Sequence, residues 1–283
     1  MPEWTIHLLE EPEEMAAVED LQRLVWPGSE TEVVPAHMLL AAAHNGGLVI
    51  GAFAGGEIVG VSFGFPGTYP TPDGPRLKHH SHLLGVHPNW RSRGVGFALK
   101  RAQWQMVRHQ GVDRVTWTYD PLLSQNARLN ISRLGAVCNT YLRDEYGEMS
   151  DGLNLGLSTD RFQVDWWVNT KRVERRLSRR SRPELTLEHY LTAEVLLLEA
   201  KTAADGQPQP PEQVPALTGA LLLVEIPSDF QALKKTGLGL ARDWRFYGRE
   251  VFEKAFAAGY LVTDFVHDAG RSVYVLTHGE STF

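Results

Sequence analysis

Six residues in the first half of the chain combine charge, hydrogen-bonding capacity and little bulk: Arg91, Ser92, Arg93, Gly94, Val95 and Gly96. Glycine has no Cβ, so Gly94 and Gly96 let the backbone lie directly against a ligand. The residues that follow read as a helix, whose first turn offers unpaired N–H groups at the positive end of its dipole. A loop of this kind is an anion site, and phosphate is its usual guest. Arg91 and Arg93 add charge and forked donors. The spacing Arg-x-x-Gly-x-Gly is neither the Gly-Lys-Ser/Thr of a nucleotide P-loop nor the Gly-x-Gly-x-x-Gly of a dinucleotide fold. Just before it stand His79, His80, His82 and His87. Alternation along a strand puts His80 and His82 on one face, and imidazole titrates close to neutral pH, which suits a general base. The same histidines read also as metal ligands, though the supporting acids and cysteines are missing. They read equally as partly exposed strand residues without a chemical role.

The elements that must position these groups follow from periodicity. Thr5–Leu9 reads as a strand. Glu11–Trp26 reads as a helix, with Met15, Val18, Leu21, Leu24 and Val25 recurring at three or four residues. Pro35–His44 is a second helix, with Pro35 suited to its first turn. Leu48–Ala54 and Ile58–Phe65 form a hairpin across Gly55-Gly56. Pro66–Pro75, with four prolines and two glycines, reads as a loop. His79–Val86 is the central strand that feeds the glycine loop. Gly94–Gln110 is its helix, carrying Ala98, Leu99, Ala102 and Met106. Arg114–Tyr119 is a β-branched and aromatic strand stopped by Asp120-Pro121. Ser124–Leu134 is a helix, and Ala136–Tyr141 and Phe162–Val168 are two further strands.

An apolar strand, Val86-His87-Pro88, Arg-x-x-Gly-x-Gly and then Ala98-Leu99 on a helix together resemble the acyl-CoA pyrophosphate loop of the GNAT acyltransferase superfamily. The order of elements over residues 1–168 is similar too. The resemblance implies an α/β (α+β) fold with a mixed sheet, splayed beside the loop, and flanking helices. It implies that the pantetheine of acyl-CoA runs along Leu84, Gly85 and Val86, and that the diphosphate lies on Arg91, Ser92, Arg93, Gly94, Val95 and Gly96. It implies that the N–H of Val86 or a neighbour meets the thioester oxygen. In several family members a carboxylate six residues before that valine is the base, and here that position is His80. Many members carry Asn-x-x-Ala on the next helix and then a tyrosine that protonates the thiolate. This chain has Ser124-Gln125-Asn126-Ala127, and Ile131 where the tyrosine would fall. Asn126 is the candidate to contact the CoA arm in place of the missing asparagine. Tyr119, Tyr141 or water stands in for the acid.

The chain has 283 residues, 43% of them hydrophobic and 22% charged, enough for two domains with real cores. A net charge of -6 argues against general nucleic-acid binding. Cys138 is the one cysteine, which excludes an intrachain disulfide and suits a reducing compartment. No signal peptide or membrane span is visible, so a cytoplasmic protein with no membrane partner is expected. Residues 169–283 form a smaller C-terminal α/β domain in this reading. Its stretch 171–182 is strongly basic and reads as a solvated face rather than a ligand or RNA patch. Arg101, Gly111 and Asp120 align without gaps on Arg249, Gly259 and Asp268, which suggests a degenerate half-GNAT unit or simply a common helix–glycine–strand unit. The activity expected is transfer of an acetyl or succinyl group from acyl-CoA to a primary amine of a small metabolite, an amino acid or similar, without a metal. A homodimer is compatible with the C-terminal aromatics. The alternative is an acyl-CoA-binding sensor with weak turnover.

Overall fold

The computed structural model describes residues 3–28, 30–147, 156–178, 185–192, 194–204 and 206–278. They divide into two compact units. The first comprises the residues up to Trp117 together with Trp167–Asn169, and the second the remainder. The change of unit falls within one strand, inside the 168 residues that the sequence resemblance treats together.

The first unit runs β1 (Thr5–Leu8), α1 (Pro12–Val25), α2 (Ala36–His44), β2 (Leu48–Ala54), β3 (Glu57–Tyr69), β4 (Arg76–Val86), α3 (Val95–His109) and β5 (Arg114–Tyr119), whose residues from Thr118 on belong to the second unit. The strands lie in chain order, antiparallel from β1 to β4. Then β5 pairs β4 in parallel, because the helix α3 returns the chain. Met15, Val18, Leu21 and Val25 of α1 and Leu39 of α2 form one apolar stripe that packs on Val49, Val61 and Phe63. Helix α3 covers the opposite face, so closely that a Cβ on Gly60 would lie 2.8 Å from Val95. Proline content misleads over residues 66–75. Strand β3 continues through Pro66 and Gly67 to Tyr69, paired with β4 as far as Arg76. Only the turn at 70–75 is loop, closed by Thr71 and by Gly74 at φ +105°. A proline's fixed φ fits an extended strand; what it lacks is a donor.

The second unit contains α4 (Ser124–Ala127), β6 (Val137–Leu142), β7 (Arg161–Trp167, its last residue counted with the first unit), α5 (Lys171–Leu177), α6 (Leu187–Leu191), β8 (Leu196–Leu198), β9 (Lys201–Thr202), β10 (Pro208–Gln209), β11 (Leu221–Ile226), α7 (Phe230–Thr236), α8 (Leu238–Ala257), β12 (Tyr260–Asp268) and β13 (Arg271–His278). Its strand order is β7-β6-β12-β13-β11-β8. Phe162, Trp166, Trp244, Phe252 and Tyr274 are fully buried. The helix expected over 124–134 is one α-helical turn followed by a π-helical stretch, Arg128–Arg133.

The internal similarity survives only locally. Gly111 and Gly259 both follow a helix at positive φ, +75° and +87°, the conformation a helix stop demands. Strand order then differs. Strand β5 pairs directly with β4, whereas β13 lies between β12 and β11. The common unit explains the alignment, and the half-GNAT arrangement is absent.

Candidate functional site

In the first unit the loop from Arg91 to Gly96 takes the form its glycines allow. Gly94 caps α3 with φ +85°, and Ser92 also holds a left-handed φ of 61°. A Cβ at Gly94 would meet nothing, so conformation alone favours glycine there. A Cβ at Gly96 would sit 3.6 Å from Val86 and 3.8 Å from Leu84, in ordinary contact. The protein itself therefore does not require glycine at 96, and a ligand pressed to the backbone would. Val95 is buried, while Ser92, Arg93 and Gly94 are exposed. The arginines are partly spent on the loop. Arg91 donates from Nε to the carbonyl of Val86 (3.3 Å) and from NH2 to that of Val25 (3.4 Å). Arg93 lies over the Trp90 ring and 3.7 Å from Glu3. His87 is spent as well: its Nδ1 accepts from the amide of Asn89 at the start of a short 3-10 turn.

Strand β4 opens toward this loop. Its ladder with β3 continues to Val86, but its ladder with β5 consists of His79↔Val115 and His80↔Thr116. From Ser81 to Val86, including Leu84, Gly85 and Val86, the strand therefore has β3 on one edge and no β5 rung on the other. Such an edge offers backbone N–H and C=O groups to an extended, amide-bearing ligand. Gly85 is glycine for a different reason: a Cβ there would lie 2.9 Å from Trp26.

A bulge organises the histidines. Phe63 pairs Leu83 and Gly64 pairs Ser81, which leaves His82 as the extra residue of β4. His80 and His82 do share a face, with ring centroids 6.1 Å apart and Phe65 5.3 and 5.9 Å from them. Burial, then the charges of His82, Lys78 and Lys100, pushes the His80 imidazole down to about 4. Desolvation lowers His82 as well, although it remains exposed. Both are thus neutral at pH 7, with His80 a weaker proton acceptor than a free imidazole. His79 points the other way, toward α3, 1% exposed, so the neighbouring histidines do not converge on one point. Among the described residues no group of three or more His, Cys, Asp or Glu side chains is placed to hold a metal ion.

What the sequence reading missed is the polar layer beneath. The buried face of α3 is Val95, Leu99, Lys100, Gln103 and Val107, with Ala98, Ala102 and Met106 half-buried beside it. Lys100 is 2% exposed; its Nζ donates to Ser81 Oγ (3.0 Å) and Gln103 Oε1 (2.8 Å), and lies 3.7 Å from the centroid of the Trp117 ring. Gln103 Nε2 donates to Ser81 Oγ and approaches His79 Nε2, each at 3.2 Å. Burial pushes the lysine well below its ordinary range. Position 103 sits four residues from both Leu99 and Val107, so periodicity did mark it as inward-facing.

The remaining candidates belong to the second unit. Tyr119 is buried, its hydroxyl 3.1 Å from that of Tyr274, which donates to the carbonyl of Pro121. Desolvation pushes Tyr119 well up. Tyr141 donates to Asp160, and Ile131 is fully buried. Asn126 is exposed on α4. Asp120 receives Arg245 through two hydrogen bonds, 2.9 and 2.5 Å, and accepts from the amide of Leu122. In the basic stretch, Arg172 bonds the carbonyls of Gly135 and Thr263, and Arg176 pairs with Asp264. Arg179, Arg180 and Arg182 lie outside the described residues.

The first unit thus combines a parallel β4–α3–β5 crossover, a strand edge opened at one end and a glycine loop on the helix N-terminus. Residues 15–129 match the acetyltransferase (GNAT) family, and the N-terminal part of the chain is a GNAT domain. The family uses acyl-CoA as co-substrate. Similar solved structures include Ard1 from Thermoplasma volcanium, 18% identical over 57% of this chain and 95% of that one, TM-score 0.44. The Escherichia coli ribosomal-protein-S18-alanine N-acetyltransferase is 14% identical over 59% and 95%, TM-score 0.44. Aminoglycoside 6'-acetyltransferase type Ii is 18% identical over 59% and 99%, TM-score 0.46. No curated protein matches the sequence. Among the described residues no helix is long and apolar enough to cross a membrane.

Proposed function

We propose that the protein transfers an acetyl or succinyl group from acyl-CoA to the primary amine of a small metabolite, an amino acid or a similar compound. The observation that carries this reading is the open edge of β4, which leads from the end of its pairing with β5 to the left-handed glycine at the start of α3. Pantetheine amides suit Leu84, Gly85 and Val86, and a diphosphate suits the loop from Arg91 to Gly96. Most of the rate then comes from holding amine against thioester. His80 or His82 takes the proton of the attacking nitrogen, and a backbone N–H of β4 past the bulge meets the oxygen that gains charge. The C–S bond breaks, and the thiolate leaves with a proton from water. Tyr119 is a poor donor for that step, because its hydroxyl is buried against Tyr274. The same fact favours the second reading, a sensor that binds acyl-CoA without efficient turnover.

Calorimetric titration with CoA, acetyl-CoA and succinyl-CoA tests the reading, with Gly94→Glu as control. Saturable binding that the variant loses supports it and ranks the donors. Binding with no turnover across a panel of primary amines supports the sensor instead. Failure to bind any of the three removes both readings.

A further inference from the structure

Resting on the reading of β4 as the acyl-CoA slot, we propose that Lys100 is a positioning residue that sets the opening of that slot by tethering both strands of the fork to the helix bearing the anion loop. The fork lies where the β4–β5 ladder stops, at His80↔Thr116. The next residues on the two strands are Ser81 and Trp117, which would form the following rung if pairing continued. One side chain from α3 engages both: the Lys100 amine donates to Ser81 Oγ at 3.0 Å and stands 3.7 Å from the centroid of the Trp117 ring. Gln103, almost one turn further along, braces the arrangement by accepting from the same amine and donating to Ser81. It reaches on to His79, and Gly64 leaves room for that imidazole, since a Cβ on Gly64 would lie 2.2 Å from His79 Nε2.

A buried amine is a costly way to fill space that a methionine would fill as well. Its distinguishing property is direction. A hydrogen bond to one strand and a ring contact to the other fix the separation of two edges, which an apolar side chain does not. The lever is short, for Lys100 lies five residues, about 7.5 Å, from the first residue of α3. The helix thus relates the width of the fork, where the pantetheine and acyl end would sit, to the loop where the diphosphate would sit.

The test separates the two halves of the ligand. In full-length protein, affinities are measured for acetyl-CoA and for adenosine 3′-phosphate 5′-diphosphate, the nucleotide half that reaches only the loop. Lys100→Met is expected to weaken acetyl-CoA about tenfold, the scale of the hydrogen bonding removed, and to leave the nucleotide half unchanged. Ser81→Ala, a milder change should Lys100→Met not fold, is expected to shift the same ratio in the same direction. A general loss of folded protein would lower both affinities together and leave their ratio unchanged. An unchanged ratio in a folded variant overturns the role of Lys100 while the loop reading stands. Wild-type protein that binds neither ligand overturns the acyl-CoA reading itself.

Discussion

His80 and His82 are neutral because their surroundings resist a proton, and this gives the site a testable pH signature. Replacing both by alanine is expected to lower kcat by about a hundredfold or more, the usual contribution of a general base. The acid limb of kcat/KM, corrected for the ionisation of the amine, should lie well below 6.5, toward the value of about 4 at His80. Stability follows with a definite sign. His79 is pushed to about 3 by burial and by the charges of Lys100 and His80, and His80 to about 4, whereas both return to 6.5 in the unfolded chain. Below pH 6.5 the unfolded chain therefore binds more protons. The stabilisation is complete above that pH and falls as the solution is acidified toward 4. Urea midpoints at pH 7 and pH 5 measure it, and equal midpoints would contradict it. These histidines were legible as a pair from strand alternation. That His79 faces the opposite way was legible too, but what it meets there was not.

At the scale of elements, the two loop glycines separate conformation from ligand contact. Gly94→Ala places a Cβ at φ +85° and is expected to cost about 1–2 kcal/mol. Gly96→Ala sits in the first turn of α3 with only ordinary contacts, so it is expected to stabilise the fold by about 0.5–1 kcal/mol. It should nevertheless weaken acetyl-CoA binding if a diphosphate lies against that backbone. Thermal melts and titrations of the same two variants decide the matter; a Gly96→Ala variant that binds as tightly as wild type would show that the ligand keeps its distance. The loop and α3 were readable because their signals are contiguous: glycine conformation, a helix start and a periodic apolar stripe. The π-helical stretch after Ala127 was not, since a helix that widens by one residue keeps nearly the same composition.

At the scale of the whole molecule, charge is as organised as apolar surface. Within the second unit, Asp120 at the end of β5 and Arg245 on α8 form a buried bidentate pair, their side chains 8% and 3% exposed. Burial alone would raise the carboxyl of Asp120, but Arg245 holds it below its ordinary value. Arg245→Met strands that carboxylate and is expected to cost about 3–5 kcal/mol in chemical denaturation. Adding Asp120→Asn to it should recover part of the loss; a double variant no better than the single would assign the cost to packing instead. Arg249 with Asp160 and Arg143 with Glu253 attach the same helix nearby. Asp120 also caps the turn that follows it, accepting from the amide of Leu122. Its main partner lies 125 residues away, a separation at which no local pattern exists.

The sequence by itself determined the glycine turn ahead of α3, the order of elements through β5 and the match of that segment to the GNAT family. Each rests on neighbours in the chain, where backbone conformation and periodicity are set locally. Only the tertiary structure decided where β4 parts from β5, that Lys100 spans the parting, and that β13 inserts between β11 and β12. Those outcomes depend on which faces meet after the chain has folded back. A lysine on a helix gives no local sign of whether it reaches water or a buried hydroxyl and an indole ring.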